Sequence, residues 1–240
     1  MKHPFRSRIL PHFTLGAGLL GLALRIWLFS DIDGKGLLPA GHPADSALYI
    51  LTALTLGILY LATRELTSRK ISKGILRPVT ACAYVLGGLG LLFDSLLHFS
   101  GANVRLAGVA MIGGILGSIV MLCMAALLFM GKKPVFWMHA VLTVVLMLDT
   151  VAQCQVWGAE PQLQAYFFPL LASIFLILTG YQATSLAAGQ GKIKLLAFFS
   201  QCALFFCCVS LNTAQWPLYL GMLFWAAVQF FPCILPQKEA

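Results

Sequence analysis

Eight strongly apolar stretches of about twenty residues dominate this chain, and they limit its folds more than any other feature. They run over roughly 11–30, 46–64, 78–99, 106–130, 135–157, 165–185, 195–212 and 218–235. A helix rises about 1.5 Å per residue, so about 20 apolar residues cross the ~30 Å hydrocarbon core of a bilayer. Eight crossings use roughly 160 residues and leave only short connections. The chain is 60% hydrophobic and 10% charged, whereas soluble domains have about 25% charged residues. Transmembrane β-strands would show about ten residues of alternating polarity, and these runs are continuous. The expected fold is all-α: one integral-membrane domain over 1–240, a polytopic bundle of eight transmembrane helices.

The breaks between the stretches contain turn formers. They include Asp31-Ile-Asp-Gly-Lys-Gly, Gly101-Ala-Asn, Gly131-Lys-Lys-Pro, Gly158-Ala-Glu-Pro, Gly189-Gln-Gly-Lys and Gln215-Trp-Pro. The last division is the narrowest, because only 213–217 separates two apolar runs. Asn212, Gln215 and Pro217 disfavour one continuous helix there, and the combined run is too long for a single crossing.

Basic residues alternate between the connections. One side would receive Lys2, Arg6, Arg8, Arg64, Arg69, Lys70, Lys73, Arg77, Lys132, Lys133, Lys192, Lys194 and Lys238, and the other only Lys35 and Arg105. The positive-inside rule then places both termini in the cytoplasm. The net charge of +8 is spread over membrane-flanking loops that suit anionic lipid, so the partner is a lipid bilayer and not nucleic acid. The first apolar run follows a basic stretch as a secretory signal would. It lacks a small-x-small cleavage site and is interrupted by Arg25, so it reads as an uncleaved first helix. With no Asn-x-Ser/Thr acceptor in the outer loops, a bacterial inner membrane is the expected location. The seven cysteines fall in or beside the apolar runs without a C-x-x-C pair, and read as small packing residues.

A charge within hydrocarbon costs about 2.5–3.5 kcal/mol on insertion scales and is normally turned toward a partner or a wet cavity. Three such residues stand inside the spans: Arg25, Asp94 and Asp149. Each lies roughly 14 to 16 residues from the cytoplasmic start of spans one, three and five, which places all three at one depth in the outer half. Thr14, Gly18, Gly21 and Arg25 share a helical face, as do Gly87, Gly90, Asp94 and His98. On span five His139, Leu142, Leu146, Asp149 and Gln153 follow the same spacing, and on span seven Gln201, Cys208, Asn212 and Gln215 do so. Span four, nearly all apolar around Gly113-Gly-Ile-Leu-Gly117, reads as a packing or lipid-facing helix.

This layer has two readings. In one, Arg25 pairs with Asp94 or Asp149 and the layer only fixes helix order. In the other it lines an outward-facing pocket, with two acids against one base leaving a surplus for a cation, a proton or His98. The second reading gives a multi-pass protein that binds or transports a small solute, using Arg25, Asp94, His98, Asp149, Gln153 and Asn212. His139 and Gln201 could extend that polar route toward the cytoplasm. An integral-membrane metal-assisted hydrolase or transferase acting on lipid is an alternative, since Asp94 and His98 stand one helical turn apart and Asp31, Asp33, His42 and Asp45 lie in or beside the first outer loop. An assembly or sensory subunit working with a membrane partner is the third.

Overall fold

The computed structural model describes residues 4–31, 41–64, 76–99, 106–157 and 163–234. Among the described residues the chain forms eight α-helices and no strands. They are α1 (Pro4–Ser30), α2 (Pro43–Arg64), α3 (Leu76–Phe99), α4 (Ala107–Phe129), α5 (Phe136–Trp157), α6 (Phe167–Ala187), α7 (Ile193–Val209) and α8 (Trp216–Ile234). Seven are long and apolar enough to cross a membrane; the eighth, α8, has a shorter apolar core over Trp216–Phe230. The protein is a polytopic helical bundle.

Helix ends agree with the apolar runs to within a few residues, except at the first. Helix α1 continues back through Pro11 to Pro4. Pro4 takes the first position of α1, where proline is favoured, and the helix continues through Pro11, which removes one backbone hydrogen bond and crowds the preceding turn. The narrow division also holds. Helix α7 ends at Val209, a short 3-10 turn occupies Ser210–Asn212, and α8 starts at Trp216 with Pro217 in its first turn.

Helices α3, α4, α5, α6, α7 and α8 pack in sequence, and α8 closes back on α3. Helices α1 and α2 pack on each other and on α7 from outside that ring. Contacts at the glycines give the directions. Gly18 lies against Cys208 and Gly21 against Val209, so α1 and α7 run the same way. Gly87 meets Trp225 while Gly90 meets Pro217 and Gly221, so α3 and α8 run oppositely. Gly113 faces Leu148 and Gly117 faces Val145, which sets α4 antiparallel to α5. Helix α7 is buried almost without interruption from Ser200 to Ser210. That fits its composition, apolar on every side, which suits a helix enclosed by others. Large apolar side chains such as Leu19, Leu20, Ile50, Leu54, Ile112, Leu116 and Val144 cover the outside, as a lipid-facing surface requires. At one end of the bundle Arg64, Lys132, Lys133, Lys192 and Lys194 are exposed, and Lys194 Nζ donates to the Arg64 carbonyl at 2.9 Å.

Candidate functional site

Helix α4 determines how α3 and α5 meet. Ser95 returns its hydroxyl to the Leu91 carbonyl at 2.7 Å and packs where a Cβ on Gly114 would stand. A Cβ on Gly117 would press on Leu91 Cδ2 at 2.7 Å and Val145 Cγ1 at 2.8 Å. Close approach along these glycines brings Asp94, beside Ser95, and Asp149, beside Leu148, to the same depth. The two side chains are 0% and 2% exposed, and their carboxyls lie close enough to act on each other electrostatically.

Gln153, one turn beyond Asp149, is 0% exposed and donates from Nε2 to Asp149 Oδ2 at 2.6 Å. While Asp149 is ionised it only accepts hydrogen bonds, so the amide presents its nitrogen to it and turns its carbonyl oxygen elsewhere. That oxygen, Gln153 Oε1, and Asp149 Oδ1 are both buried without a hydrogen-bond partner. A buried acceptor left unsatisfied costs about 1–3 kcal/mol. The α5 side of the layer is therefore rich in acceptors and poor in donors.

Tyr219 of α8 joins this layer to its neighbours. Its hydroxyl is 3.2 Å from both the Pro169 carbonyl and Gln215 Oε1, and 3.5 Å from Ser173 Oγ. Having one proton, it can donate to only one of them at a time. Tyr219 lies near both acids on one side and Arg25 on the other.

Arg25 is 2% exposed and is occupied by the backbone. Its guanidinium donates to the Ala165 carbonyl at 2.7 Å and, more weakly, to the Val209 carbonyl at 3.4 Å. It also stands over the rings of Phe29 and Phe168, 5.4 and 5.8 Å from their centroids, where cation–π attraction adds to its anchorage. Among the described residues no ion pair joins it to Asp94 or Asp149; the ion pair present is Asp31 with His42.

The remaining expected residues are distributed differently. His98 lies in the last turn of α3, and its side chain falls outside the described residues. Asn212 is exposed on the 3-10 turn, and Gln215 takes the inward place beside Tyr219. Asp33 lies outside the described residues. His42 caps α2: its Nδ1 accepts from the Ala44 amide at 3.2 Å, which leaves Nε2 to donate to Asp31 at 3.0 Å. Trp27 packs edge-on to its ring at 5.3 Å, tying α1 to α2. Among the described residues no three His, Cys, Asp or Glu side chains gather as a metal site. Tyr219 carries little signal in the sequence beyond Gln215 one turn before it, at the start of an apolar helix.

No protein-family model, curated protein or solved structure matches the chain.

Proposed function

We propose that this multi-pass membrane protein is a carrier, and that it binds a small solute whose positive charge, or accompanying proton, is held by Asp94, Asp149 and Gln153. One observation supports this above the others. Asp149 Oδ1 and Gln153 Oε1 are buried acceptors with no donor, beside a second carboxyl. A cation or a proton supplies what that arrangement lacks. Arg25 serves as a structural anchor that holds the outer ends of α1 and α7 and the turn before α6 together. His98 and Asn212, toward the outer ends of their segments, stand on the entry side.

The acids are 0% and 2% exposed, so this conformation corresponds to an occluded state, and access requires the outer helix ends to part. In this reading the protein lies in a bacterial inner membrane with its basic loops in the cytoplasm.

The test is thermal denaturation of purified protein against a panel of inorganic and small organic cations. A ligand should raise the melting temperature of the wild type and leave Asp149→Asn and Asp94→Asn unmoved, while both variants remain inserted and folded. Loss of the folded protein in both variants would instead make the layer structural.

A further inference from the structure

The helices that build the outer layer carry a second polar set closer to the basic end. Tyr84, His139 and Gln229 each stand ten residues from Asp94, Asp149 and Tyr219 on α3, α5 and α8, about 15 Å along a helix. They are 3%, 8% and 8% exposed. Gln229 Nε2 donates to the Tyr84 hydroxyl at 2.9 Å, and the Tyr84 ring meets the His139 ring edge-on, with centroids 6.3 Å apart. His139 comes one turn after the start of α5, just beyond exposed Lys132 and Lys133, yet it is already inside the bundle. Its Nδ1 is buried without a hydrogen-bond partner. Leu142 and Leu146 fill the turns of α5 between His139 and Asp149, with Leu91 and Met222 buried at corresponding positions on α3 and α8.

We propose that His139 is an inner proton station, and that the ion moved through the outer acidic site is a proton. This rests on the carrier reading above. The imidazole takes a proton at the basic end. When the layer of Leu91, Leu142, Leu146 and Met222 opens to water, the proton leaves the ring nitrogen and adds to a carboxylate oxygen of Asp149. Only a proton changes place, so no oxidant or reductant is required. The groups facing His139 suit a residue that can carry its own charge transiently. Tyr84 is the titratable neighbour from α3. The residues buried on the neighbouring helices are uncharged: Met121, Met124 and Ala125 of α4, Thr179, Gln182 and Ala183 of α6, and Trp225, Ala226 and Gln229 of α8. An interior histidine needed only for packing would not require a ring nitrogen left bare in hydrocarbon, where it costs free energy.

The experiment uses the full chain reconstituted in phosphatidylethanolamine–phosphatidylglycerol vesicles, with protons as the probe. A trapped pH dye reports proton entry under a potassium diffusion potential, and infrared absorption follows the protonated carboxyl in the same preparation. The wild type should conduct protons and Asp149→Asn should not. His139→Gln and His139→Ala should slow entry at least tenfold while the Asp149 carboxyl band still titrates. If no carboxyl band disappears in Asp149→Asn, the outer-site reading fails and this inference fails with it. A titrating carboxyl without wild-type proton flux, or flux unchanged in both His139 variants, would overturn the inner station alone. Misfolding of both His139 variants would make the residue structural and equally overturn it.

Discussion

A guanidinium buried in a membrane bundle need not find a carboxylate. Arg25 is satisfied by two carbonyls at segment ends and two aromatic faces, and among the described residues it forms no ion pair with Asp94 or Asp149. Arg25→Met should therefore lower the melting temperature, because a buried carbonyl that loses its donor costs about 1–3 kcal/mol. Arg25→Lys should recover only part of that loss, since a compact ammonium does not reproduce the planar fork. Scanning calorimetry of the purified variants reads both, and a wild-type melting temperature in Arg25→Met would refute the anchoring role. That Arg25, Asp94 and Asp149 turn inward is legible from helical spacing, and all three are buried. Their partners are not legible there, because the carbonyl of Ala165 sits in a connecting turn and its position depends on how α6 docks. Tyr219 was invisible for a related reason: a tyrosine near the end of an apolar helix looks like any interfacial aromatic until its neighbours are known.

Among the elements, α4 illustrates what periodicity leaves open. Its sequence reads as a packing or lipid-facing helix, and it is both, with Gly114 and Gly117 against α3 and α5 and Ile112 and Leu116 exposed; nothing in that sequence says that its packing surface lies between α3 and α5. Helix extents, by contrast, follow from apolar length: α1 runs past its apolar span, Ile9–Ser30, only at its start. The glycines on α3 and α8 are equally contextual. A Cβ at Gly90 would stand 2.5 Å from the Pro217 carbonyl oxygen and 2.9 Å from Gly221 Cα, both backbone atoms that cannot rotate away. Gly90→Leu should force α3 from α8 and reduce the yield of folded protein several-fold. Gly16→Leu is the matched control. A Cβ there meets nothing within 4 Å, so its elution profile in detergent should match the wild type.

On the scale of the whole molecule, alternating helix direction and the clustering of exposed basic residues at one end make sidedness measurable. In a background with the native cysteines replaced, Lys132→Cys and Lys192→Cys should react with an impermeant maleimide only in inside-out vesicles, and Thr213→Cys only in intact cells. The reverse pattern would invert the topology. Alternation and charge made this end-to-end order readable from the chain, whereas the lateral order of the helices was not, since apolar surfaces of similar composition can exchange neighbours without changing hydropathy. That lateral order carries a consequence for biogenesis. Helix α7, largely enclosed, leaves the ribosome after α3, α4, α5 and α6, and α1 and α2 depend on it for their dock. That pair must wait in lipid while α3 to α6 are inserted, so the finished packing is reached by lateral gathering and cannot follow the order of insertion.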